Sequence, residues 1–117
     1  MIGVTGTKGK STTSSFIYEM LKNADKNVVL AGNVGKPVLD QIDFAMPPEI
    51  VVYELSSFMV ESLDDFVCDV GILTTLIPVH IKEHGDYERY VAAKIKLLQH
   101  SRHAFVGTQA REELERL

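Results

Sequence analysis

The sequence predicts an α/β fold: a mostly parallel sheet flanked by helices. Short apolar runs alternate with stretches of helical period along the chain, the pattern that covers a parallel sheet on both faces. The first run passes through two glycines into Lys10-Ser11-Thr12 at the head of a helical stretch. The glycine loop, Gly32–Lys36, Glu54 and His80 each follow a strand, where such sheets bind ligands.

Ile2–Thr5 reads as a short buried strand. A helix follows from about Lys10 to Ala24, with Phe16, Ile17, Met20 and Leu21 on one stripe, and Asn23-Ala24-Asp25 breaks it. Asn27–Ala31 is too short and apolar for anything but a second strand. Gly32-Asn33-Val34-Gly35-Lys36-Pro37 is a loop, a short helix is expected around Val38–Ile42, and Pro47-Pro48 marks a connection. Ile50–Leu55 is the clearest strand and Asp69–Leu76 the next. Pro78 to Asp86 is a polar loop, Tyr87–His100 a helix, Ala104–Val106 a last short strand and Gln109–Leu117 a closing helix.

Strand, glycine turn and helix in that order make a phosphate cradle. Gly6-Thr7-Lys8-Gly9-Lys10-Ser11 would turn backbone N–H groups and a helix N-terminus toward an anion. Lys10 would reach the terminal phosphates and Ser11 would ligate Mg²⁺ through its hydroxyl. The full pattern G-x-x-x-x-G-K-[ST] would need glycine at Val4, so the chain carries a shorter form of it. The competing reading is a polar surface turn holding a chance Gly-Lys-Ser. The strand before and the helix after favour a fold like that of the P-loop nucleoside triphosphatases.

At 117 residues the chain is one domain or part of one. Its net charge of −4, with lysines and arginines scattered, argues against nucleic acid as a partner. Cys68 is the single cysteine, which excludes an internal disulfide and fits a reducing cytoplasm. No apolar stretch approaches the length of a membrane span.

Seven further residues invite chemistry. Glu54 follows four apolar strand residues, a place from which an acid reaches phosphate-bound Mg²⁺; the alternative is a solvated strand end. Lys94 falls in the apolar stripe of its helix, among Tyr87, Tyr90, Val91, Leu97 and Leu98. A lysine there usually snorkels. A desolvated amine instead loses its proton more easily and can add CO₂ to form a carbamate, in effect a new carboxylate. His80, and His84 near it, could ligate a metal as neutral imidazoles or stay solvated. Asn33 could orient a substrate or only serve a turn. Ser56 and Ser57 suit a helix N-cap.

These motifs resemble those of the Mur ligases. Gly3-Val4-Thr5-Gly6-Thr7-Lys8-Gly9-Lys10-Ser11-Thr12 is similar to the family's nucleotide loop. Gly32-Asn33-Val34-Gly35-Lys36-Pro37, Glu54-Leu55-Ser56-Ser57-Phe58 and Tyr90-Val91-Ala92-Ala93-Lys94 stand in the family's order and spacing. Glu-Leu-Ser-Ser-Phe looks most like the member that adds D-glutamate to UDP-N-acetylmuramoyl-L-alanine.

The resemblance implies a two-step amide synthesis in which ATP phosphorylates a carboxylate and an amine displaces the phosphate. It implies ATP bound by Gly6, Thr7, Lys8, Gly9, Lys10, Ser11 and Thr12, and a first Mg²⁺ on Ser11. Glu54 would bridge the metals, and His80 with a carbamylated Lys94 would hold the second Mg²⁺. Asn33 and Ser57 would contact the UDP-muramoyl substrate. Lys8 stands where the family usually has Asn, and Val79 and Lys82 stand where acids usually flank the histidine. The resemblance also implies an incomplete central domain over 1–117, without the UDP-binding and amino-acid-binding domains that ligation needs. Two alternatives stand beside the ligase: a nucleotide-binding module without catalysis, and a relative of folylpolyglutamate synthase.

Overall fold

The computed structural model describes residues 1–32, 48–56, 59–60, 66–77 and 87–116. The elements run β1 (Ile2–Thr5), α1 (Lys10–Asn23), β2 (Val28–Gly32), β3 (Ile50–Glu54), β4 (Cys68–Leu73), α2 (Tyr87–Gln99), β5 (Ser101–Val106) and α3 (Thr108–Arg116). The helix expected around Val38–Ile42 and the loop from Pro78 to Asp86 lie outside the described residues.

The five strands form one sheet in the order β2-β3-β1-β4-β5, and every pairing is parallel. β1 therefore sits in the middle. The chain leaves it toward β2 and β3 on one side and crosses over it to reach β4 and β5 on the other. That crossing is the switch point at which an open parallel sheet leaves a crevice beyond its carboxyl edge. The register brings Val4 level with Glu54, and Glu54 level with Gly32, so the ends of three strands meet there.

Alternation along β1 assigns its faces. A Cβ on Gly3 would meet Leu97 of α2, Cys68 and Leu55. Gly3 thus lets α2 lie close on the sheet, and Thr5, two residues on, shares that face. Two clusters fill the space under α2. Leu73, Leu76, Tyr90, Val91 and Ala110 form one, and Leu55, Val60, Cys68 and Leu97 the other. Truncating a fully buried leucine such as Leu97 costs about 2–5 kcal/mol.

α1 packs on β1, β2 and β3 through a narrower face than its composition suggests. Phe16 and Met20 are exposed, while Ser14 is buried and Ile17, Tyr18 and Leu21 are half-buried. The stripe expected over Phe16, Ile17, Met20 and Leu21 is therefore rotated. The i, i+3, i+4, i+7 series through Ser14 faces the sheet, and Ser14 fits because its hydroxyl donates to Ser11 O at 3.2 Å. The helix ends in a Schellman motif: Asp25 takes φ 60°, its N–H donates to Lys22 O, and Lys26 N–H donates to Leu21 O at 3.0 Å.

Two other boundaries differ from expectation. β4 stops at Leu73 instead of Leu76, because Thr74 and Thr75 give much of their hydrogen bonding to the loop after β1. β5 starts at Ser101, not Ala104. Its polar first half is mostly exposed at the edge of the sheet, so it carries no apolar signature. Gln109 of α3 pins the chain after β4, accepting from Leu76 N–H at 2.8 Å and donating to Leu76 O at 2.9 Å.

Candidate functional site

β1 ends at Thr5, and Gly6-Thr7-Lys8-Gly9 turn the chain into α1. Gly6 has φ 146° and Gly9 φ 86°, the left-handed side of backbone space where a Cβ is strained. A Cβ on Gly6 would also collide with Thr74 Oγ1 and press on the Thr75 backbone nitrogen. The loop is therefore laid directly against the end of β4. Among the described residues no side chain caps α1, so none of them competes with an anion for its first-turn N–H groups.

Side chains hold this loop from one flank. Thr74 Oγ1 donates to Lys8 O at 2.6 Å, and Thr75 Oγ1 donates to the same carbonyl at 2.9 Å. Lys8 N–H donates to Thr75 Oγ1 at 2.8 Å and Thr7 N–H to Thr75 O at 3.0 Å. Thr7 Oγ1 accepts from Ile77 N–H at 2.9 Å and lies 2.7 Å from the Tyr90 hydroxyl. Thr74, Thr75 and Tyr90 were missed as site residues by sequence reasoning. Two threonines after an apolar run read as more strand, and a tyrosine on an apolar stripe reads as core.

Glu54 is the last residue of β3 and is 1% exposed. Its Oε1 accepts from the Ser11 hydroxyl at 2.8 Å. Its Oε2 is buried and has no hydrogen-bond partner among the described residues. An unpartnered buried carboxylate oxygen is costly, and this one lies at the mouth of a phosphate-shaped loop beside a hydroxyl. Mg²⁺ typically takes one or two protein oxygens and completes its shell with phosphates and water. Ser11 and Glu54 fit that donor set.

Lys94 is 2% exposed, so the snorkelling reading is overturned. α2 aims its amine at the end of β1, where Nζ donates to Thr5 Oγ1 at 3.1 Å and to Gly6 O at 3.3 Å. Burial lowers its pKa from 10.5 to about 7, and the nearby positive charge of Lys10 pushes the same way. A substantial fraction of the amine is therefore neutral at physiological pH, the state that can react with CO₂.

The structure thus brings Gly6 to Thr12, Glu54 and Lys94 together around the end of β1. His80, Asn33 and Ser57 lie outside the described residues. Of the two candidate caps, Ser56 is described, and its Oγ accepts from Met59 N–H at 3.2 Å.

The Mur ligase middle domain profile matches residues 4–113. The chain belongs to the Mur ligase family. It is 47% identical over 107 residues to the UDP-N-acetylmuramoylalanine–D-glutamate ligase of Wolbachia pipientis wMel, covering 92% of this chain and 20% of that protein. It is 42% identical over 101 residues to the enzyme of the same name from Desulfitobacterium hafniense, covering 86% of this chain and 22% of that protein. The chain thus spans about a fifth of the length of these relatives.

Solved Mur ligases share the fold. A UDP-N-acetylmuramoyl-L-alanyl-D-glutamate–2,6-diaminopimelate ligase superimposes with a TM-score of 0.75 at 22% identity, over 97% of this chain and 28% of that one. A MurF ligase from Thermotoga maritima in complex with ADP gives 0.66 at 23% identity, over 98% and 29%. The Mur ligase middle domain therefore keeps its parallel sheet and helices in this chain.

Proposed function

We propose that this chain is the ATP-binding core of an ATP-dependent ligase of peptidoglycan synthesis, the one that joins D-glutamate to UDP-N-acetylmuramoyl-L-alanine. The observation that carries the reading is the Ser11–Glu54 pair, with Glu54 Oε2 buried and without a hydrogen-bond partner among the described residues. The choice of D-glutamate rests on the names of the relatives at 47% and 42% identity.

In the first step a carboxylate oxygen of the UDP-muramoyl substrate bonds to the γ-phosphorus of ATP. The bridging P–O bond breaks and ADP leaves. In the second, the amine of D-glutamate bonds to the acyl carbon, the C–O bond to phosphate breaks, and the amine gives up a proton. Both steps bring anions together, so the protein's task is to hold them and offset their charge. The loop from Gly6 to Thr12 cradles the phosphates with backbone N–H groups, and Lys10 adds a cation toward the terminal phosphate. Ser11 and Glu54 hold Mg²⁺, which when bound neutralises phosphate charge as a Lewis acid.

Lys94 acts as a carbamate: its neutral amine bonds to CO₂ and releases a proton, leaving a carboxylate in place of a cation. With His80 it serves a second Mg²⁺, while Asn33 and Ser57 contact the UDP-muramoyl substrate. The protein works in the cytoplasm, and the remaining ligase domains supply the rest of both substrate sites.

Turnover tests this reading. The chain alone, given Mg-ATP, UDP-N-acetylmuramoyl-L-alanine and D-glutamate, should show no sustained ADP release. Exchanged for the matching segment of the Wolbachia relative, with the rest of that protein kept, it should release one ADP per amide formed. ADP release there without amide, or with another amino acid preferred over D-glutamate, contradicts the reading.

A further inference from the structure

α2 meets the glycine loop at two points one helical turn apart. Tyr90 reaches Thr7, with 2.7 Å between their hydroxyl oxygens, and Lys94 reaches Thr5 and Gly6. Two side chains at i and i+4 lie one above the other on one helix face. Here they touch three consecutive residues, Thr5, Gly6 and Thr7. We infer that Tyr90 is a positioning residue for the phosphate loop: its hydroxyl holds Thr7 while Lys94 holds Gly6, so α2 sets the path of the loop before any nucleotide arrives. The inference rests on reading Gly6 to Thr12 as the phosphate site.

Thr7 Oγ1 accepts from Ile77 N–H at 2.9 Å, and it lies 3.2 Å from Ile77 O and 2.7 Å from the Tyr90 hydroxyl. Tyr90 is 1% exposed and packs with Leu73, Leu76, Val91 and Ala110. Phenylalanine would fill that space equally well, and a phenol buried there is costly unless it is bonded. Among the described residues the hydroxyl bonds to Thr7. The ring also lies beside the lysine, with Lys94 Nζ 5.2 Å from its centroid. One residue thus touches both the loop and the lysine beside it.

Amide hydrogen exchange on the chain tests this without any nucleotide. Thr7 and Lys8 donate their N–H groups to Thr75 and report whether the loop stays seated. In Tyr90→Phe their exchange should quicken about fivefold, the effect of losing one hydrogen bond of about 1 kcal/mol. Val29 and Val52 in the sheet should keep their rates. Thr7→Val should quicken Lys8 at least as much, and adding Tyr90→Phe to it should change nothing further. Leu114→Ala, which trims the cluster around Tyr90, should leave the Thr7 and Lys8 rates alone. Unchanged rates in Tyr90→Phe, a uniform rise across the sheet, or additive effects in the double variant would each overturn the inference. Failure of the unsubstituted chain to bind Mg-ATP would count against the proposed function instead, because the exchange readout needs no nucleotide.

Discussion

The Ser11 hydroxyl donates to Glu54 Oε1 at 2.8 Å, and the other oxygen of that carboxylate is buried with no partner among the described residues. The first turn of α1 and the last residue of β3 are thereby joined at a point that still has acceptor capacity. Glu54→Gln keeps an oxygen for Ser11 and removes the charge. We expect the Mg²⁺-dependent part of nucleotide binding to vanish, while stability without metal holds or rises, since a buried charge lacking full pairing is unfavourable. Thermal unfolding with and without Mg²⁺ checks both. A fall in metal-free stability of more than about 1 kcal/mol would mean that the carboxylate is structural.

Lys94 ties stability to pH. The unfolded chain holds the lysine proton up to its ordinary pKa of 10.5, and the folded chain releases it near 7. Between those values the unfolded state binds more protons, so folding stability climbs with pH by up to about 1.4 kcal/mol per unit. Below pH 7 both states hold the proton and the burial penalty is felt in full. Lys94→Met keeps the bulk and removes the charge. It should be the more stable protein at pH 7, with the gap closing toward pH 10. Urea titrations at pH 7.5 and 9.5 measure the slope, and parallel behaviour of the two proteins would contradict the assigned shift.

Gly32 closes β2 at φ 105°, and a Cβ there would collide with the backbone carbonyl of Glu54. Gly32→Ala combines backbone strain with displacement of the residue that carries the site. We expect a loss of at least about 2 kcal/mol in denaturant unfolding, with nucleotide binding weakened beyond what the lost stability explains. A loss of about 0.5 kcal/mol or less would show that the ends of β2 and β3 have room to part.

Gln109 imitates a strand partner for Leu76 through two hydrogen bonds. Gln109→Ala leaves a buried stretch of backbone unpaired, and a stability loss of about 1–3 kcal/mol is expected. Urea unfolding measures it, and a neutral result would place water on those backbone groups.

The strand–helix alternation made most of the architecture legible, because buried parallel strands are short apolar runs and β1 to β4 are all of that kind. β5 was half hidden: as an edge strand it buries too little to need apolar residues in its first half. The glycine loop, Glu54 and Lys94 were legible as chemistry out of place, two glycines before a lysine, an acid ending an apolar strand, and a lysine on an apolar stripe. The threonine latch was not. Thr74 and Thr75 serve the loop through contacts almost 70 residues apart in the chain, and only the pairing of β1 with β4 brings them together. The face of α1 was misread for a related reason, since Phe16 and Met20 carry the apolar signal yet point away from the sheet.

Calorimetric titration of Mg-ATP into this chain, with Lys10→Ala alongside, tests the central claim most directly. Binding should saturate, require Mg²⁺ and disappear in the Lys10→Ala protein while the fold, followed by circular dichroism, is kept. Equal binding by both proteins would place the nucleotide elsewhere and contradict the assignment of Gly6 to Thr12 and Glu54 as its site.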